Sequence, residues 1–173
     1  ALVDQDSVSA GTQVTVTAWT VESANGEESA RVTKDLTLDV TPVLATTAND
    51  NLIWDGDAIN GRAGTDKVAL RYGENVDHQD LATLLRNIEV LDLSVPGANS
   101  ITGGLSVSDV LAITGSDSGR LTIDGDAEDS VELASADGWS TNGIVVDGHL
   151  VYTNTSSGVT LSIDEDINVS YAA

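Results

Sequence analysis

The chain has 173 residues, with 28 acidic against 7 basic side chains, a formal charge of -21 and no cysteine or methionine. That balance excludes partners read through phosphate, since DNA, RNA and anionic membrane surfaces are held by Lys and Arg. It also excludes a disulfide-held fold, and no apolar run approaches the ~18 residues of a membrane span. The length suits one domain with its own core, whose self-repulsion strains the compact state unless cations bind. A start at Ala1 without methionine predicts a piece of a longer chain, with any export signal outside it.

In chain order, Val14, Val16 and Ala18 alternate with Thr15, Thr17 and Trp19, the period of a half-buried strand. Asn25-Gly26 is the expected hairpin turn, and Leu36, Leu38 and Val40 repeat the alternation until Pro42. The segment to Pro42 is too short to fold alone and is taken as part of a single domain over 1–173. Residues 46–66 are rich in Gly, Asn and Asp and predict loops, after which Lys67 to Tyr72 resumes as a strand. A helix is expected from Asp77 as N-cap, with Asp80 in its first turn, Leu81, Leu84, Leu85 and Ile88 as its apolar stripe, and Arg86 near its end. A shorter helix is expected from Ser106, with Asp109 three residues on, to Gly115. Beyond a glycine-containing loop at 95–104, short strands are expected at 121–123, 131–133, 144–146, 150–152, 159–163 and 167–171. This spacing predicts a mainly β chain, a calcium-stabilised β-sandwich with one or two short helices in its crossovers.

Acidic clusters carry the chemistry. Asp124-Gly125-Asp126-Ala127-Glu128-Asp129 places three aspartates within six residues at a strand end, where they repel one another without a cation. Calcium takes six to eight oxygens in a flexible geometry, so Asp124, Asp126 and Asp129 are candidate ligands. Gly61-Arg62-Ala63-Gly64-Thr65-Asp66-Lys67-Val68-Ala69 is one register of the calcium nonapeptide G-G-x-G-x-D-x-U-x, with Arg62 at the second glycine. Asn60 and Asp66 there, and Asp55 and Asp57 in a decayed copy upstream, are further candidates. One and a half repeats are too few for a stacked β-roll, so a calcium loop at the sandwich edge is expected. Asp164 and Asp166 complete the set. For all of these, a solvated acidic turn or a metal-free Asx-turn is the alternative reading.

Trp139, in a polar loop with Asp137 and Asn142, is a candidate ligand contact together with Arg62. A tryptophan capping the core is the other reading, favoured for Trp139 and more strongly for Trp54. His78 and His149 lack a motif to orient them, and neither G-x-S-x-G nor H-E-x-x-H occurs, so no enzyme activity is expected.

With these residues in view, the chain resembles the ligand-binding end of giant RTX adhesins, bacterial surface proteins exported by type I secretion. VTVTAWTVESANGEESARVTKDLTLDVTP (14–42) is similar to the closing strands of their Ig-like repeats. Residues 49–93, from NDNLIWDGDAINGRAGTDKVAL to LLRNIEVLDLS, and residues 104–133, GLSVSDVLAITGSDSGRLTIDGDAEDSVEL, are similar to the module that follows. The resemblance implies an extracellular, calcium-dependent peptide-binding domain. In that family a β-sandwich carrying several calcium ions holds the C-terminal end of a partner peptide from another cell's surface, with one calcium meeting its carboxylate. A glycan-binding module and a calcium-rigidified spacer are the competing functions.

Overall fold

The structure, a computed structural model, describes residues 13–18, 32–37, 43–71, 73–115 and 119–172, with side-chain environments from Ala45 onward. The sequence predicts one domain; the chain clusters as two compact units, Ala1–Thr41 and Pro42–Ala173. In the first, β1 (Gln13–Ala18) pairs antiparallel with β2 (Val32–Thr37), Gln13 opposite Thr37 and Ala18 opposite Val32. The expected turn at Asn25-Gly26 and the side chain of Trp19 lie outside the described residues.

The second unit runs through β3 (Val43–Leu44), β4 (Asn51–Ile53), β5 (Ile59–Asn60), β6 (Lys67–Ala69), β7 (Asn75–Asp77), α1 (His78–Leu84), β8 (Leu85–Arg86), β9 (Val90–Asp92) and β10 (Ser100–Leu105). It continues through α2 (Val107–Thr114), β11 (Arg120–Asp124), β12 (Ser130–Ala134), β13 (Ser140–Val146), β14 (His149–Thr153), β15 (Thr160–Asp164) and β16 (Asn168–Ala172). The mainly β character with two short helices is as predicted. The pairing differs from a sandwich of antiparallel hairpins: apart from β13, β14 and their contact with β15, every pair in this unit is parallel.

Three sheets result, in the orders β3-β5-β8, β4-β6-β9-β11-β15-β14-β13 and β7-β10-β12-β16. Successive strands of one sheet follow one another in sequence with strands of the other sheets between them, so the chain winds as a solenoid. Its register stacks like on like. Leu52, Val68, Leu91, Ile123 and Ile163 form one inward column, and Val76, Ile101, Val131 and Val169 another. All but Leu52 and Val169 are buried, and those two pack on the core from its edges. Period-two alternation thus sends one face of each strand inward.

The expectation that one and a half nonapeptides are too few to stack is corrected here. The two copies do stack, β4 on β6, with β3 on β5 just ahead of them, and the coils above carry the stack onward without the repeat. Those later coils are lengthened by α1, α2 and the β13–β14 hairpin, which hides their periodicity.

Helix α1 begins as predicted, Asp77 Oδ1 accepting from Gln79 N at 2.8 Å, but ends at Leu84. Leu85 and Arg86 go instead to β8, where Leu85 pairs with Ile59 and enters the core. Sheet pairing outcompetes the last turn of a marginal helix. Helix α2 matches its prediction: Ser106 and Asp109 form a reciprocal capping box, and Gly115 closes it at φ +61°.

At the corners entering two of the sheets, short polar side chains replace missing rungs. Ahead of β4, β6 and β9 stand Asp50, Asp66 and Glu89, spaced 16 and 23 residues apart. Asp50 N donates to Asp66 Oδ1 at 2.9 Å and Asp66 N to Glu89 Oε2 at 2.9 Å, while Lys67 N and Val90 N return bonds to the Asp50 and Asp66 carbonyls. Ahead of β7, β10 and β12 stand Glu74, Asn99 and Asp129 in the same relation. Glu74 N donates to Asn99 Oδ1 and Asn99 N to Asp129 Oδ1, both at 2.9 Å. A turning backbone N–H finds no carbonyl in line, so the side-chain oxygen of the next coil accepts it.

Asn99 also donates through Nδ2 to the carbonyls of Leu93, Val95 and Gly97, and is 1% exposed. Asn99→Ala leaves several enclosed backbone groups unpaired at about 1–3 kcal/mol each. Urea unfolding is expected to show a loss of about 3 kcal/mol or more; a change below about 1 kcal/mol would contradict the corner's role.

Candidate functional site

The strongest acidic cluster in the sequence is divided among three structural tasks. Asp124 ends β11 on the solvent side of the seven-stranded sheet, where Asp92 is its neighbour across the ladder. Its Oδ2 lies 3.1 Å from Lys67 Nζ and its Oδ1 3.1 Å from His149 Nε2. Asp126 Oδ1 accepts from Glu128 N at 2.9 Å, holding the turn. Asp129 is 0% exposed, with Oδ1 on Asn99 N and Oδ2 on Asp126 N at 2.8 Å. The mutual repulsion that suggests a cation is therefore relieved by Lys67, His149 and backbone N–H groups.

Gly125 permits this turn, because a Cβ there would stand 2.6 Å from Ile167 Cδ1 and 2.8 Å from Asp129 Oδ2. Asp164 Oδ1 accepts from Asp166 N at 3.0 Å in an exposed turn, and Asp164 faces His149 in the β14–β15 register. In the decayed copy, Asp55 Oδ1 accepts from Asp57 N at 3.3 Å, and the Asp57 carbonyl accepts from Trp54 Nε1 at 2.9 Å. Both carboxylates are exposed, Asp55 3.9 Å from Arg71.

The nonapeptide differs. Asp66 is 0% exposed; its Oδ1 serves the corner bond, but its Oδ2 is buried with no hydrogen-bond partner. A Cβ on Gly61 would fall 2.2 Å from the Asn87 carbonyl oxygen and 2.5 Å from Asp66 Oδ2, so both oxygens close on the bare glycine from neighbouring coils. Asn60 Oδ1 accepts from Arg62 N at 3.0 Å and from Asn87 Nδ2 at 2.8 Å. Arg62, at the second glycine position, takes φ +71°, the left-handed backbone that a glycine would adopt without strain, and its side chain is exposed. Glu89 stacks above Asp66. Burial raises its pKa, and the Asp66 charge adds to the rise against the bond from Asp66 N–H.

Among the described residues no group of three or more His, Asp or Glu is arranged to hold a metal ion. At the Asp66 corner, one carboxylate oxygen and the Asn87 main-chain carbonyl oxygen approach the same point beside Gly61. An orphaned buried carboxylate beside a carbonyl oxygen fits a hard cation.

Trp139 is 5% exposed in the core cluster and donates Nε1–H to the Leu105 carbonyl at 3.2 Å; Trp54 is also buried. Neither ring offers a face to a ligand, so Trp139, like Trp54, takes the core-capping reading and is set aside as a candidate ligand contact. Asp137 Oδ2 accepts from Val107 N at the start of α2, and its carbonyl accepts from Asn154 Nδ2. Asn142 Oδ1 accepts from Ile144 N at 3.0 Å inside an exposed strand.

Both histidines are oriented after all, by residues distant in sequence. His78 Nδ1 lies 2.7 Å from Asp109 Oδ2, which also accepts from Ser106 N and Oγ, so this pair ties α1 to the cap of α2. His149 contacts Asp124 Oδ1 and the Asp147 carbonyl, both acceptors, so both ring nitrogens donate only as imidazolium. Residues absent from the sequence prediction, Asp50, Glu89, Asp92 and Asn99, share a signal. Each acid or amide of the corners stands one place before a strand, as in Asp66-Lys67-Val68 and Glu89-Val90-Leu91, and the outer aspartates close strands in Leu91-Asp92, Ile123-Asp124 and Ile163-Asp164.

Burial alone would lower the pKa of His149, but the Asp147 carbonyl and Asp124 outweigh it and hold it above the usual value. A base raised in the fold stabilises fully below its unfolded pKa of about 6.5 and loses that contribution as pH rises through the folded value. Burial likewise pushes Asp92 up, but hydrogen bonds from Lys67 and Ser94 prevail and hold it below the usual carboxylate range. Its contribution is present above about 3.9 and fades as pH falls. The stability difference between wild type and His149→Gln, from urea curves across pH, is expected to be largest on the acid side of neutrality and to shrink above it; a difference independent of pH would contradict the imidazolium assignment.

No protein-family model, curated protein or solved structure matches this chain.

Proposed function

We propose that the chain is a non-enzymatic, calcium-rigidified solenoid module of a bacterial surface adhesin. The observation that carries this reading is Asp66 Oδ2, a carboxylate oxygen shut from water without a donor, in the one segment whose spacing follows the calcium nonapeptide. An unpaired buried charge costs several kcal/mol, and a bound cation removes that cost while joining neighbouring coils. Asp66 Oδ2 and the Asn87 carbonyl would contribute ligands; calcium would supply the charge that offsets part of the -21. The extracellular setting, where such a module meets calcium, comes from the resemblance to RTX adhesins. Among the described residues no helix is long and apolar enough to cross a membrane.

The test is thermal unfolding of wild type and Asp66→Asn in calcium and in chelator. Wild type is expected to melt higher in calcium, because a ligand bound to the folded state alone adds RT ln(1 + [L]/Kd). The substituted amide carries no charge and can donate to a neighbouring carbonyl, so the order should cross: the variant more stable than wild type in chelator and less stable in calcium. Equal calcium shifts in both proteins would remove Asp66 from the site.

Recognition of a partner peptide's C-terminal carboxylate is the second reading, favoured by Asp55, Asp57 and Asp166, whose exposed carboxylates leave room for a cation open to solvent. The glycan reading loses its residues with Trp139 and Trp54 in the core. Short peptides with free and amidated C-termini, titrated in calcium and in chelator, are expected to bind only as free acid with calcium present; binding indifferent to amidation would overturn the carboxylate contact.

A further inference from the structure

We infer that β13 is a docking strand for an extended, aliphatic segment of a partner protein flanked by lysine or arginine. All seven residues of β13 are exposed, and Ile144, Val145 and Val146 are 60%, 41% and 53% exposed in succession. Among the described residues nothing covers this strand, and its three aliphatic side chains depart from the polar outward positions of other strands, such as Ser100, Thr102, Ser130 and Asn168. It also lies at one end of its sheet. The parallel ladder of the seven-stranded sheet stops at β15, and β14 then β13 extend it antiparallel, so that among the described residues β13 has one hydrogen-bonding edge unpaired.

The backbone sets where a partner pairs. Val146 faces His149 across the two-residue turn Asp147-Gly148, at φ +50° and +81°, so the groups of Val146 turn inward and those of Val145 outward. Toward the other end the register shifts between Thr141 and Val145, and Thr141 Oγ1 and Asn142 Oδ1 accept from Gly143 N and Ile144 N. That bulge closes the first half of the edge, as edge strands commonly do. The half from Ile144 to Asp147 stays open, with Val145 N–H and C=O for an incoming strand and Ile144 and Val146 for its aliphatic side chains.

Charge selects the occupant. Asp147 is exposed at the turn, and Glu165, also exposed, donates its N–H to the Gly148 carbonyl, bringing the Asp164–Asp166 turn to the same end. A second copy, also at -21, would set this acidic end against another acidic surface, whereas Lys or Arg flanking an aliphatic segment complements it. The inference needs no bound calcium and stands apart from the Asp66 reading.

The test uses the full chain, isotope-labelled, with three acetylated and amidated peptides: KVTVTVK, EVTVTVE and KVTPTVK. The lysine-flanked peptide is expected to shift the backbone amides of residues 143–147 and to slow exchange of the Val145 amide, in calcium and in chelator alike. The glutamate and proline peptides should bind at least tenfold more weakly, as should the lysine peptide to Ile144→Ser/Val146→Ser, whose positions are solvent-facing. No shift with KVTVTVK, equal binding of EVTVTVE, or shifts centred elsewhere would overturn the proposal. So would sedimentation showing self-association that the double variant abolishes, since the strand would then belong to a second copy. The amide map on wild type decides the question even if the double variant fails to fold.

Discussion

Where the chain enters β4, β6, β7 and β10 it must turn, and the N–H of the turning residue falls out of line with the carbonyls of the next coil. The structure depends on how that donor is satisfied. Asp66 and Glu89 at one corner, and Asn99 and Asp129 at the other, each accept the N–H of the coil before, while the strand residue that follows returns a bond to that coil's carbonyl. The stacking of Val68, Leu91 and Ile123 follows from these bonds, because they set the register that a one-residue slip would reverse.

This use of carboxylates explains much of the acidity without a metal. Asp129 has both oxygens on backbone donors, and Asp124 and Asp92 share Lys67. Lys67 is correspondingly held above its ordinary pKa, by the hydrogen bond to Asp92 first and by Asp124 as well, against a burial effect that pulls it down. Asp66 differs in that its second oxygen is buried without a hydrogen-bond partner, and calcium chemistry is argued from that one atom rather than from the density of acids.

Hairpin β13–β14 answers a different constraint. A parallel ladder of coils ends in a strand whose outer edge is unpaired, and β14 covers β15 while passing the open edge to β13. His149 holds the hairpin to the sheet through Asp124, and the bulge after Thr141 limits what the edge can accept. The docking surface is thus a by-product of terminating the ladder, sharpened by three exposed aliphatic residues.

Local signals were legible in the sequence. The caps Asp77, Ser106, Asp109 and Gly115 fixed both helix starts and one helix end, because capping involves neighbours a few residues apart. The strands β11 and β12 were visible as their three-residue centres, 121–123 and 131–133, and β15 and β16 as 159–163 and 167–171, and the nonapeptide singled out Asp66. Parallel pairing was not legible. Strands as short as β3, β5 and β8 carry two residues each, too few for a period, and the corner partners lie 16 to 30 residues apart at unequal intervals. The roles of Asp124, Asp129 and Trp139 were decided only when winding brought Lys67, Asn99 and Leu105 beside them. Residue type and spacing determine what a side chain can bond; the stacking of coils decides which donor reaches it first.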